Sequence, residues 1–159
     1  MKPKRYQDLV AECLPHIKQL FPWDLEGLIQ NSPDIVLLDI REPYEFDHLH
    51  IDHSLNVPRG ILESACDYGY EETVPELVEA RQQQVVVICR SGSRSALAAY
   101  IMQQMGYEAV YSLQTGLRGW NDYELLLVDA AGRPVEIEAA DRYFNAPIRA
   151  EQLPPPAKN

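Results

Sequence analysis

Three cysteines, Cys13, Cys66 and Cys89, are all that the 159 residues contain. So sparse and odd a set fits neither a disulfide framework nor the paired spacing of a zinc site, and a reducing compartment is the simplest expectation. Long apolar runs are also missing: the densest, Val85 to Cys89, stops at Arg90, far short of the ~20 residues that cross a membrane as a helix. The basic start Met1-Lys2-Pro3-Lys4-Arg5 lacks the apolar stretch and cleavage site of a secretory signal. Positive charge is scarce, with 14 Lys and Arg against 24 Asp and Glu, a formal net charge of -10. The summed field repels nucleic acid and anionic membranes. These absences predict a cytoplasmic protein with neither nucleic acid nor membrane as partner. The chain is nevertheless 46% hydrophobic, enough for one domain with a real core.

Against that acidic background one segment stands out, Val85-Val86-Val87-Ile88-Cys89-Arg90-Ser91-Gly92-Ser93-Arg94-Ser95. A β-branched run reads as a strand buried on both faces, and it ends at a cysteine followed by small, polar and cationic residues that open a helix. Backbone N–H groups at the helix start, together with Arg90 and Arg94, favour anionic sulfur at Cys89 and an anionic substrate beside it. Arg90, Ser91, Gly92, Ser93, Arg94 and Ser95 are therefore the candidate substrate-binding loop. Cys13 lies on an apolar helical face and reads as core packing; Cys66 is a weaker candidate for a second, resolving thiol, with no cation near it in sequence. Asp39 and Arg41, at the end of the strand Ile35 to Ile40, read as a structural ion pair that supports the site. His48, His50 and His53 lack a constellation specific to one metal and read as loop packing, so no metal site is expected. Trp120 reads as a core anchor.

Elsewhere the pattern alternates. Leu9, Val10, Cys13, Leu14, Ile17 and Leu20 fall at helical spacing, with Pro15 as a kink. A very short strand is expected at Phe21 to Trp23, then a helix capped by Asp24. A helical turn over Tyr44 to His48 and a brief strand over Ser54 to Val57 follow, and Thr73 has capping-box spacing before a helix running to about Gln83. The loop leads into a helix over Ser95 to Met105, ended by Gly106, and Ala109 to Leu113 is the last core strand. Leu125 to Val128 and Val135 to Ile137 read as a hairpin or extended arm, and the proline-rich end as extended or disordered chain. The alternation predicts an α/β domain with a mainly parallel sheet flanked by helices.

Four segments, taken together and in order, resemble the single-domain rhodanese (sulfurtransferase) family: Asp39-Ile40-Arg41-Glu42 with Glu45-Phe46; His50-Ile51 with Asn56-Val57-Pro58-Arg59-Gly60; Cys89 to Ser95 with Ala98-Ala99; and Gly106-Tyr107 with Val110, Gly116-Leu117 and Gly119-Trp120. The chain departs from the family where Leu49 precedes His50-Ile51 in place of the usual Gly, and where Asp52-His53-Ser54 follows. The resemblance implies a three-layer fold with five strands over residues 21–121, preceded by a helical extension, 1–20, and followed by an arm and Pro-rich tail, 122–159. It also implies that Cys89 is the sulfur-carrying nucleophile, its persulfide cradled by loop amides. Sulfane sulfur would pass from thiosulfate or a persulfide to a thiol, cyanide or a sulfur-accepting protein, with no cofactor. The alternatives are a sulfur-carrier or binding module dependent on a protein partner and, further off, a phosphatase or arsenate reductase of related fold. Phosphatases of that kind hold phosphate in a loop one residue longer than the four that separate Cys89 from Arg94.

Overall fold

The computed structural model describes residues 1–158; Asn159, the last residue of the expected tail, lies outside them. Five strands, β1 (Lys18–Leu20), β2 (Val36–Asp39), β3 (Leu55–Asn56), β4 (Gln84–Ile88) and β5 (Ala109–Leu113), form one sheet in the order β1-β5-β4-β2-β3. Every pairing is parallel. Eight α-helices connect and flank them: α1 (Tyr6–Cys13), α2 (Pro22–Asn31), α3 (Pro43–His48), α4 (Leu62–Ala65), α5 (Pro75–Val78), α6 (Ser93–Gln104), α7 (Gly116–Asp122) and α8 (Ile137–Phe144).

Strand period divides the core into two layers, because successive side chains leave a strand on opposite faces. In β4, Val85 and Val87 join Leu62, Leu77, Ala98 and Met102 in one cluster. Val86 and Ile88 join Leu25, Leu117, Trp120 and Phe144 in the other. Cys89 shares the parity of Val87 and belongs to the first layer, which brings its side chain beneath the start of α6. The sheet is covered on both faces, as an all-parallel sheet requires.

Several local expectations are corrected. The N-terminal helix stops at Cys13, a single 3-10 turn follows over Leu14–His16, and the residues after it are edge strand β1 paired with β5. Pro15 is what ends the helix, since it cannot supply the next backbone donor. Phe21 to Trp23 is not a strand: Phe21 caps α2, and Asp24 acts from the third helical position, its carboxylate accepting the Phe21 N–H at 3.1 Å. Thr73 caps nothing, because its hydroxyl donates to Asp67 C=O at 2.7 Å and accepts from Tyr70 N–H. The arm after Trp120 makes only isolated antiparallel bridges, Val128 with His50 and with Pro134, and Ile137 opens α8 instead of ending a hairpin. Its apolar residues Ile137, Ala140 and Phe144 sit at helical spacing, and α8 packs on α7.

The turn after β2 is held by a fully buried ion pair. The Asp39 carboxylate accepts from the Arg41 backbone N–H at 3.1 Å, from Nε at 3.0 Å and from Nη2 at 2.8 Å, and Nη2 also donates to Leu49 C=O at 2.7 Å. Asn56 donates to the carbonyls of both Asp39 and Arg41 at 3.0 Å. Together these contacts fix where α3 begins and ends. Substituting Asp39→Ala leaves a guanidinium buried without its counter-charge, so urea denaturation should show a loss of about 3–5 kcal/mol.

Candidate functional site

β4 ends at Ile88, and the chain turns at once through Arg90, Ser91 and Gly92 into α6. Gly92 makes that turn with φ of +92°, a left-handed conformation that glycine adopts without a Cβ penalty. A side chain there would also press on Thr115 N and Leu113 O at 3.1 and 3.2 Å. The tight turn brings three groups onto one sulfur. Cys89 Sγ accepts from the Gly92 N–H at 3.1 Å and the Ser95 N–H at 3.3 Å, and Ser95 Oγ lies 3.3 Å from it. Ser95 Oγ in turn shares a hydrogen bond of 2.7 Å with Ser112 Oγ on β5. Cys89, Ser95 and Ser112 are all completely buried.

The loop is clamped from the β5–α7 side. Leu117 N–H donates to Cys89 C=O at 2.9 Å and Arg118 N–H to Arg90 C=O at 3.0 Å. Gly116 permits this approach: with φ of +62°, a Cβ on it would stand 2.4 Å from the Arg90 carbonyl carbon. Gly119 serves the neighbouring contact, leaving room for the Thr115 side chain folded over the first turn of α7.

The two arginines have separate fates. Arg94 is paired with Glu45 of α3 by two hydrogen bonds, 2.9 and 3.0 Å, so its charge is matched within the protein. Burial pushes the Glu45 carboxyl up, but the Arg94 hydrogen bonds, the Glu42 N–H and the Arg94 and Arg41 charges outweigh it and hold the group below the usual carboxylate range. Those Glu45 hydrogen bonds in turn raise Arg94 further above its ordinary value. Arg90 is exposed at the rim and makes no ion pair among the described residues. Ser91 stands between two clefts: an aromatic one lined by Phe21, Trp23, Thr115, Gly119 and Tyr123, about 520 Å³, and a cationic one of about 590 Å³ that contains Arg59, Arg90 and Arg94.

Of the loop residues expected from the sequence, Gly92 and Ser95 contact the Cys89 sulfur, Arg90, Ser91 and Arg94 line the cationic cleft and Ser93 opens α6, while Asp39 and Arg41 form the buried pair at the turn before α3. Cys66 shares a core layer with Cys89 but makes no hydrogen bond to the loop among the described residues. It is fully buried, and burial first of all pushes its thiol up, against the Tyr107 hydrogen bond and the Arg81 charge, so it is poorly suited to resolve a persulfide. The three histidines diverge: His48 stacks on Tyr143, His50 stacks on Phe46 and bonds Phe46 C=O at 2.7 Å, and His53 faces solvent beside Asp52. Glu45, Ser112 and Gly116 were not singled out as site residues. Glu45 could have been marked by its helix-opening position, three residues after Glu42, but only tertiary structure pairs it with Arg94.

No helix of the described residues is long and apolar enough to cross a membrane. The model of the rhodanese-like domain matches residues 23–123. A mitochondrial protein of Schizosaccharomyces pombe provisionally named a thiosulfate sulfurtransferase is 36% identical over 90 residues, 55% of this chain and 63% of the relative. One from Bacillus subtilis provisionally named a sulfur carrier protein is 29% identical over 92 residues, 58% of this chain and 44% of the relative. The matched segment therefore spans less than two thirds of either relative. Among solved structures, a protein of unknown function from Rhodopseudomonas palustris, described as a possible tyrosine phosphatase, superposes with a TM-score of 0.69 at 30% identity, covering 86% of this chain and 97% of that one. The polysulfide-sulfur transferase of Wolinella succinogenes gives 0.59 at 26%, covering 78% and 87%. With the family model covering more than half its length, and with relatives named as sulfurtransferases, the chain belongs to the rhodanese-like domain family.

Proposed function

We propose that the protein is a sulfurtransferase that carries sulfane sulfur as a persulfide on Cys89, loading it from thiosulfate or an organic persulfide and passing it to a thiol, cyanide or a sulfur-accepting protein. The observation that carries this reading is the convergence of two amides and a hydroxyl on a single buried sulfur. Such donors, fixed in place before the reaction, stabilise anionic sulfur without reorganising. The Ser95–Ser112 hydroxyl pair adds a reversible element. With Sγ protonated, the thiol donates to Ser95; with Sγ anionic, Ser112 donates to Ser95, whose proton turns toward the sulfur.

Loading breaks the donor's S–S bond as the Cys89 sulfur bonds the sulfane sulfur, and the electron pair departs with sulfite or a thiolate. Arg90, the loop guanidinium not already paired, is the cation suited to that leaving group. Discharge reverses the roles: the acceptor's sulfur or carbon takes the outer sulfur, and Cys89 returns as the leaving thiolate. The name of the Bacillus relative favours a second reading, a carrier that hands the same persulfide only to a partner protein; the two differ in acceptor and share the loading step.

The Rhodopseudomonas neighbour's description names the competing chemistry. Phosphoryl transfer needs room for a tetrahedral anion, whereas four residues separate Cys89 from Arg94, two of the inward N–H groups are already spent on sulfur, and Gly116 pins the loop from behind. Aryl phosphates should accordingly be hydrolysed at no more than the uncatalysed rate. Efficient hydrolysis by a protein that takes up no sulfur would replace this function with a phosphatase.

Two further outcomes are expected. Intact mass measured after thiosulfate or persulfide treatment should rise by one sulfur atom in the wild type and not in Cys89→Ser, which should also lose thiosulfate:cyanide activity to background while keeping its circular dichroism spectrum. The Glu45–Arg94 pair makes stability pH-dependent. Because folding lowers the Glu45 pKa, the pair's contribution is complete above the ordinary glutamate range and fades as pH falls through the depressed value. Against Glu45→Gln, the wild type should be more stable by roughly 1–3 kcal/mol near neutrality, a margin that urea melts should find narrowing in acid.

A further inference from the structure

The cationic cleft is larger than the proposed chemistry at Cys89 needs and is partly built by residues outside the family segment. Its volume, about 590 Å³, falls in the range of roughly 300–1,000 Å³ that holds organic ligands, while thiosulfate would occupy a small part of it. One wall is Tyr6 of α1, which precedes residue 23. Helix α1 packs on α6, the helix that starts at the loop. The lining also includes Arg59, from the 3-10 turn Arg59–Ile61 that follows β3.

Charge sharpens the picture. Three guanidiniums face this cleft in a protein of net charge -10. Arg94 is matched by Glu45, the one carboxylate on the lining, whereas Arg59 and Arg90 make no ion pair among the described residues. Arg90 lies at the loop, next to where a leaving group would form. Arg59 belongs to a separate element, is half-buried, and its side chain makes no hydrogen bond or ion pair among the described residues.

We infer that the cleft reads a carboxylate remote from sulfur, and that the favoured donor is an organic persulfide bearing such a group, in preference to an inorganic sulfane anion. This rests on the Cys89 persulfide reading. Arg59 receives the carboxylate through its planar fork of donors, and Tyr6 and Tyr44 flank the carbon chain. The Cys89 thiolate attacks the outer sulfur of the donor R–S–SH; the Sγ–S bond forms, the donor S–S bond breaks, and the electron pair leaves as R–S⁻ beside Arg90. The proton stays on the transferred sulfur, and no external oxidant or reductant enters.

The test compares kcat/KM for glutathione persulfide, whose carboxylates lie away from sulfur, with that for thiosulfate. In Arg59→Gln the ratio of the two should fall about tenfold, as expected for a charge-assisted hydrogen bond in a partly exposed site. Wild-type protein given the diethyl ester of glutathione persulfide should lose a similar factor relative to the free acid, which removes any dependence on how the variant folds. Equal losses for both donors in Arg59→Gln, or an ester used as well as the acid, would overturn the subsite while leaving the Cys89 reading intact. A wild type that takes sulfur from neither donor overturns both.

Discussion

Two peptide hydrogen bonds, Leu117 N–H to Cys89 C=O and Arg118 N–H to Arg90 C=O, hold the Cys89 loop to the β5–α7 turn, and the geometry of the site depends on them. They turn the loop carbonyls outward to α7, which leaves the Gly92 and Ser95 N–H groups facing inward to the sulfur. Gly116 and Gly92 are required on opposite sides of the same contact, one because a Cβ would overlap the Arg90 backbone, the other because a left-handed φ is needed where the chain turns. The set of contacts around the Cys89 sulfur is thus a property of two loops from two strands, β4 and β5, that neighbour each other in the sheet.

Behind this contact stands a second support. The buried Asp39–Arg41 pair sets α3, and α3 presents Glu45 to Arg94 on the first turns of α6. Burying the Asp39–Arg41 charges has a desolvation penalty that the multiple hydrogen bonds offset, so removing either partner is costlier than the pair is stabilising. Helix α8 reaches both supports, through Tyr143 stacked on His48 of α3 and through the Asn121 and Arg118 side chains of α7, which bond Asp141 and Phe144 C=O. The chain beyond the family segment therefore braces the two helices that hold the loop.

The strands β2 and β4 are legible because residues 36–38 and 85–88 are apolar runs, β5 because Val110, Tyr111 and Leu113 favour a strand, and the Cys89 loop because small and cationic residues follow such a run abruptly. Local signals failed where a neighbour far along the chain decides the outcome. β1 is three residues long and exists because β5 pairs with it; in the sequence it merges with the apolar spacing of α1. Helix α8 was hidden because Val135-Glu136-Ile137 alternates like a strand until Ala140 and Phe144 are counted with it. Glu45 and Arg94, and likewise Ser95 and Ser112, are joined only by the order of strands, and no spacing rule connects them. Arg94 shows the limit most clearly, since its charge looked free beside the cysteine until its carboxylate partner was placed.

The strand order also joins parts of the site that lie far apart in the sequence. Lys18 of β1 pairs with Tyr111 of β5, so the first of the five strands finds its partner only in the last. Closing so long a loop is entropically slow, and β1 remains a short edge with hydrogen bonds on one side alone. The N-terminal wall of the cleft is thus tied to the sheet by the pairing that spans the most sequence, and Tyr6 is held near the Cys89 loop by the packing of α1 on α6.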